Sequence, residues 1–424
     1  MSLRRPWQWV PSLYFSEGVP YAMIASVSVI LLKDLQMSNR ELAFLTSLLT
    51  LPWVLKPLWA PLIDLFWTKK IWFIAMELLL GAGFIACGTL LPILNGSLII
   101  VLILIALAAA SATHDAAADG FYLLGLKPHE QAYFTGIRST AYRISMVAVQ
   151  GGLVMLVGML QNSGVSIHLA WAAGLAGAGG VMLLLGSWHV FSVPAVEKWS
   201  EKPKMRSIAL DFAASFAAFF RQKGVWGALL FLLFFRLGES QLVRLAVPFM
   251  QDAGNSGGMG LSVRDIGFLY GTLGVICLLA GGITGGWAIS RNGVRKWMWP
   301  MALAINLPDF VYVYLAAALP ESRWLAGCAV AVEQFGYGFG FTLYMIFMVA
   351  FAGQSGKFKT SHFALMTGFM ALGMMLPGMA AGAVYEWLGG YKAFFWYVMA
   401  CTLPGFAVTA LVPRLIPPDF GRKE

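Results

Sequence analysis

The stretch SATHDAAADGFY (Ser111 to Tyr122) places His114, Asp115 and Asp119 within six positions, directly after the apolar run Leu98 to Ala110. Residues four apart share one face of a helix. Asp115 and Asp119 therefore point the same way, with His114 turned about 100° aside. Such a face can pair with arginines or carry protons, but a His–Asp neighbour without further ligands does not make a metal site. The partners are close in sequence: Arg138 and Arg143 lie in GIRSTAYRISMVAVQGG (Gly136 to Gly152), beyond a short loop containing Lys127, His129 and Glu130. Counting depth along the two segments sets Asp119 opposite Arg138 and Asp115 nearer the level of Arg143. At least one Asp–Arg pair is predicted between them.

The same chemistry recurs in FFRLGESQLVRL, where Arg236, Ser240 and Arg244 fall on one stripe and Glu239 follows Arg236 by three. A guanidinium fork recognises carboxylate or phosphate bidentately and stays charged, so the stripe suits an anionic substrate. The competing reading is that Glu239 simply neutralises Arg236. Glu17, beside Gly18 and Pro20, and Glu333, opening EQFGYGFGF, stand near the middle of apolar segments, where a carboxyl can serve as a proton carrier. Lys56, Glu77 and Asp309 complete the charges inside such segments. Each costs several kcal/mol at membrane depth and so needs a partner or water. The proton-coupling candidates are Glu17, Asp115, Asp119 and Glu333.

The elements that must hold these groups are membrane helices. Of 424 residues, 59% are hydrophobic and 12% charged, and the mean hydropathy is +0.74. A bilayer core takes roughly 20 apolar residues per helix. Twelve such runs are read, at about 8–33, 41–64, 71–92, 97–124, 130–160, 168–192, 224–250, 264–290, 297–318, 323–352, 361–388 and 391–413. Alternating ten-residue strands are absent, and helices satisfy every backbone group internally. The fold class is thus an all-α polytopic membrane protein. Arg4 and Arg5 precede an apolar run that continues to about residue 33, which reads as a retained first helix rather than a cleaved signal. Lys and Arg cluster at one set of segment ends, which puts both termini in the cytoplasm. Their spread over all those loops accounts for the net charge of +9 without nucleic acid. Cys87, Cys277, Cys328 and Cys401 lie singly in different helices, with no metal-ligand spacing.

The polar break around 193–223 divides a 1–192 half from a 224–424 half. SNRELAFL (Ser38 to Leu45) and SVRDIGFL (Ser262 to Leu269) correspond at an offset of 224, each just before an even-numbered helix. That placement indicates a duplicated six-helix unit. No P-loop, HExxH helix, GxSxG elbow or large soluble domain is present, so no enzyme is expected.

Two endings, PLWAPLIDLFWTKK (Pro57 to Lys70) and GGITGGWAISRNGVRKW (Gly281 to Trp297), resemble the loop signature of the major facilitator superfamily. The resemblance implies a charge latch of Asp64, Lys69, Lys70, Arg291 and Arg295, weaker in the second copy, where Ala288 stands in place of Asp64. It also implies two pseudo-symmetric six-helix bundles whose first, second, fourth, fifth, seventh and tenth helices line a central cavity. FSEGVPYAM (Phe15 to Met23), KPLWAPLIDLF (Lys56 to Phe66), SATHDAAADGFY, the Gly136 to Gly152 stretch, EQFGYGFG (Glu333 to Gly340) and HFALM (His362 to Met366) together resemble the AmpG-type muropeptide permeases. These form part of the peptide/acetyl-coenzyme A transporter family within that superfamily. The resemblance implies proton-driven import of anhydromuropeptides across a bacterial inner membrane for cell-wall recycling. It assigns substrate contacts to Lys56, His114, Arg138, Arg143, Arg236, Glu239, Arg244 and Gln334, with Tyr14, Tyr21, Tyr122 and Tyr142 stacking on sugars. His114 stands where a Gln is expected. The other readings are transport of another organic anion, such as an acyl-coenzyme A or a siderophore-type ligand, drug-like export, or membrane sensing. No cofactor or metal is expected. The partners are a small anionic solute, protons and lipid, and a monomer is expected.

Overall fold

Segments of this apolarity satisfy their backbone by coiling into helices, and the computed structural model is helical throughout its long segments. It describes residues 4–93, 97–126, 128–197, 205–320, 322–417 and 420. The side chains of Asp64 and His129, and the whole of Lys127, lie outside the described residues. Among the described residues, eleven helices are long and apolar enough to cross a bilayer. In chain order the first is Val10–Asp34. The second comprises Asn39–Leu48 and Leu51–Leu65, the third is Lys69–Leu90 and the fourth Ser97–Gly125. The fifth runs from Pro128–Met146 through a π-helical turn to Val154–Asn162, and the sixth is Ile167–Ser192. Beyond the seventh, the remaining five are Val263–Asn292, Val294–Ala318, Arg323–Gly353, Ser361–Leu388 and Tyr391–Leu415.

The seventh segment differs from the continuous helix expected over 224–250. It is two helices, Val225–Phe234 and Leu237–Gln251, broken at Phe235 and Arg236. Helix ends leave carbonyls unpaired, and the Tyr344 hydroxyl takes up one of them by donating to Leu232 O at 2.6 Å. The break brings Arg236 out of regular helix among aromatic rings. The 193–223 stretch also differs from a plain linker, because Met205–Arg221 is helical and buries Phe219 against His362 and Phe369.

The chain forms two compact units. One contains Met1–Met37, Leu55–Ala209 and Val263–Gly267; the other contains Ser38–Val54, Leu210–Ser262 and Phe268–Glu424. Each sequence half therefore gives one short stretch to the other's unit: the first contains one copy of the repeated octapeptide, and the second is five interior residues of the other copy. In the second unit the Arg40 backbone lies so close to Gly382 that a Cβ there would sit 2.4 Å from Arg40 Cα. In the first unit a Cβ on Gly158 would sit 2.4 Å from Arg264 N. Arg264 follows Arg40 by 264 − 40 = 224 positions, and Gly382 follows Gly158 by 382 − 158 = 224. The duplication inferred from one octapeptide thus extends to the helix that each copy meets.

Within the first unit, the third and sixth segments pack backbone to backbone: a Cβ on Gly179 would lie 2.6 Å from Gly81 O. Phe73, Phe121, Phe134 and Trp9 fill the core beside them. In the second unit Phe231, Phe235, Tyr344, Phe347 and Phe351 stack in one apolar cluster.

Candidate functional site

In the first unit, charged side chains from four segments converge. Arg138 lies 3.2 Å from Asp119, as the depth count predicts. Tyr14 joins the pair, accepting from Arg138 Nη1 at 2.9 Å and donating to Asp119 Oδ1 at 2.9 Å. The guanidinium also lies over the Tyr14 and Tyr122 rings, 4.6 and 4.9 Å from their centroids, an arrangement that helps hold a desolvated cation. Asp115 does not reach Arg143; its partner is Lys56, 2.5 Å from Oδ2. The sequence count looked to the fifth segment for this partner, but the second supplies it. Arg143 remains the next cation along the fifth segment, beside Tyr142, whose ring is 6.2 Å from that of Tyr21.

Glu17 completes this cluster. Its Oε2 is buried without a hydrogen-bond partner, and the charges acting on it are Asp115, Asp119, Lys56 and Arg138. Three carboxyls thus face two cations. Burying that excess negative charge is costly, and one bound proton removes it. The Lys56–Asp115 pair is largely covered, with 25% and 16% of the side chains exposed. The Arg138–Asp119 pair is more open, at 33% and 44%.

His114 sits elsewhere, fully enclosed with two residues from the third and sixth segments. Its Nε2 is 3.2 Å from Glu77 Oε1, and His189 Nδ1 is 2.9 Å from the same carboxylate. All three side chains have 0% exposure. Glu77 counts among the charges visible in the sequence, but His189 gives no local signal, being 112 residues away. The structure separates His114 from the partly open pair and gives it an interior carboxylate instead.

In the second unit, Arg236 donates from Nη2 to the Tyr337 hydroxyl. Its guanidinium is ringed by Tyr337, Phe341 and Tyr344, with centroids 5.0, 4.9 and 5.9 Å away. The signal for this cage was EQFGYGFGF, in which 337 and 341 are one helical turn apart. Glu239 is electrostatically linked to Arg236 and keeps one carboxyl oxygen without a hydrogen-bond partner. Gln334 Nε2 donates to Glu333 at 2.9 Å. Asp309, on the ninth segment, is buried with neither carboxyl oxygen hydrogen-bonded. Arg244 is buried too, near Gly378 of the eleventh segment.

Of the latch residues, Lys69, Lys70, Arg291 and Arg295 have described side chains, and Asp64 does not. Lys69 meets Glu197 through its backbone N–H at 2.5 Å and its Nζ at 3.4 Å. Lys70 Nζ donates to the Val190 and Val193 carbonyls. Both lysines thus engage the chain leaving the sixth segment, where a short acidic residue after the helix was the only clue. Arg291 lies over the Trp287 ring, 4.7 Å away, and Arg295 is exposed.

This geometry can be set beside known proteins. Over 98% of both chains, the structure matches that of a D-xylose–proton symporter with a TM-score of 0.71 at 12% identity. The fold is that of the major facilitator superfamily. In sequence, the profile of the BT1 family matches residues 17–164, a stretch that encloses Glu17, Lys56, Asp115, Asp119 and Arg138. An uncharacterised protein of Haemophilus influenzae is 26% identical over 407 residues, covering 92% of this chain and 90% of that one. An anhydromuropeptide permease of Escherichia coli K12 is 23% identical over 400 residues, covering 93% and 77%. The resemblance to the AmpG-type proteins therefore spans most of the chain. The chain thus has membrane-crossing helices in the major facilitator fold and is similar in sequence to proteins named as permeases.

Proposed function

We propose that the protein is a proton-coupled importer of anhydromuropeptide-type solutes in a bacterial inner membrane. The observation that carries this reading is the buried cluster of Glu17, Asp115 and Asp119 around Lys56 and Arg138. A proton taken up there cancels the excess negative charge, and its release restores it. A ligand carboxylate that competes for Arg138 would change the same balance, linking solute to proton. The similarity to an anhydromuropeptide permease supports the ligand class, because such solutes combine carboxylates with sugar faces. Arg138 and Arg236 are the guanidiniums suited to the carboxylates, and Tyr14, Tyr21, Tyr122 and Tyr142 to the sugars. Asp119 and Glu333 join Glu17 and Asp115 as proton carriers, while Lys56, Arg143, Glu239, Arg244 and Gln334 shape the polar path. Both termini lie in the cytoplasm, and the monomer is the working unit.

A proton bound in the cluster then biases one conformation of the protein over another, which is the basis of alternating access. The test is uptake into proteoliposomes of purified protein. Accumulation of an intact anhydromuropeptide under an inward proton gradient, abolished by an uncoupler, is the expected result. Binding shown by thermal stabilisation without any flux would instead support a sensor. Accumulation of an acyl-coenzyme A or ferric siderophore in place of the muropeptide would overturn the ligand class.

A further inference from the structure

One carboxylate in the first unit joins four segments. Glu77, on the third, accepts from Ser16 Oγ of the first at 2.5 Å, from His189 Nδ1 of the sixth at 2.9 Å, and meets His114 Nε2 of the fourth at 3.2 Å. Phe73 sets its edge against both imidazoles, 6.3 and 6.1 Å away, which keeps the centre dry. The Ser12 hydroxyl, 3.2 Å from Trp9 O, also lies 2.9 Å from His189 Nε2 and ties the far side of that ring to the first segment.

Two of the three partners adjoin the proton cluster in sequence: Ser16 precedes Glu17, and His114 precedes Asp115. Neighbours on a helix are about 100° apart. Pinning Ser16 and His114 to one point on the third segment therefore fixes the rotation of the first and fourth, and with it the direction in which Glu17 and Asp115 face.

We infer that Glu77, with His114 and His189, is a positioning centre that turns Glu17 and Asp115 toward Lys56 and Arg138. The inference rests on the proton-coupled reading above and goes beyond it by giving the third and sixth segments a role in coupling. The groups that face Glu17 are Asp115 and Asp119 from the fourth segment, Lys56 from the second, Arg138 and Tyr142 from the fifth, and Tyr14 from its own. Among the described hydrogen bonds, the third and sixth segments join the first helix through Glu77 with Ser16 and His189 with Ser12.

Dicyclohexylcarbodiimide modifies protonated carboxyls in apolar surroundings, so the extent of Glu17 labelling against pH, read by peptide mass spectrometry, follows its proton. The protein would be labelled as wild type, Glu77→Gln and Ser16→Ala; the last removes one bond and leaves the contacts of Glu77 with both histidines intact. The expected result is a shift of the Glu17 labelling midpoint by about half a pH unit or more in both variants, roughly a threefold change in proton affinity. An unchanged midpoint in Ser16→Ala, or a wild-type Glu17 that is labelled at no pH, overturns the inference. A labelling shift in protein that shows no gradient-driven uptake sustains the positioning role and overturns the proposed function alone.

Discussion

The Tyr14 hydroxyl bridges Arg138 and Asp119, 2.9 Å from each. The two charges are also 3.2 Å apart directly, so the bridge strengthens a pair that survives without it. Tyr14→Phe is expected to cost about 1.5–3 kcal/mol of stability, the range for losing a hydrogen bond to a charged group. Uptake should fall several-fold with little change in expression. Arg138→Gln should do more, because it leaves three carboxyls facing Lys56 alone. Thermal unfolding in detergent and initial uptake rates measure both; equal effects of the two substitutions would contradict the charge count.

Lys56 and Asp115 offer a sharper comparison. Breaking a mostly covered pair strands a charge, whereas removing both partners does not. Lys56→Met and Asp115→Asn are each expected to destabilise by about 2–4 kcal/mol. The double variant should be less damaged than the sum by about 1–3 kcal/mol. Additivity in this cycle, measured by unfolding, would mean that the 2.5 Å contact carries no energy.

Transport by Asp115→Asn separates coupling from binding. Gradient-driven accumulation should be lost while counterflow exchange persists, because exchange needs no net proton movement. If accumulation by Asp115→Asn equals wild type, Asp115 carries no coupling role.

The repeat-related contacts at Gly158 and Gly382 predict a matched pair of phenotypes. A side chain at either position meets the Arg264 or Arg40 backbone, which cannot swing aside as a flexible side chain would. A cysteine at Ser47 or at Val263, both buried beside these contacts, should be alkylated slowly in a background lacking the four native cysteines. Gly382→Val should speed the first and Gly158→Val the second, each by roughly threefold or more as the local contact opens. Unchanged rates would mean that the close approach can relax without parting the helices.

Much of this arrangement is legible in the chain, for identifiable reasons. Spans are legible because lipid demands long apolar runs, and Arg138–Asp119 because the fourth and fifth segments are joined by a short loop that fixes their relative depth. Lys56 was visible as a buried charge, yet its partner was not, since nothing in the sequence says how near the second segment stands to the fourth. His189 was silent because it gains meaning only from Glu77, a residue on a helix it meets through Gly81 and Gly179. The break at Arg236 was hidden inside an apolar run, where hydropathy is the same for one helix or two. Its signal lay in the aromatic rings of another segment.

That break bears on how the chain enters a membrane at all. Val225–Phe234 and Leu237–Gln251 have 10 and 15 residues, each short of the roughly 20 that span a bilayer core, and the second carries Glu239 and Arg244. Left to itself during synthesis, such a segment partitions poorly into lipid. Its insertion therefore has to be completed by helices made later: the tenth, which supplies the rings around Arg236, and the twelfth, whose Gly405 abuts the Phe235 carbonyl. Biogenesis of this half is accordingly cooperative, and a chain truncated before residue 323 is expected to leave its seventh segment outside the bilayer.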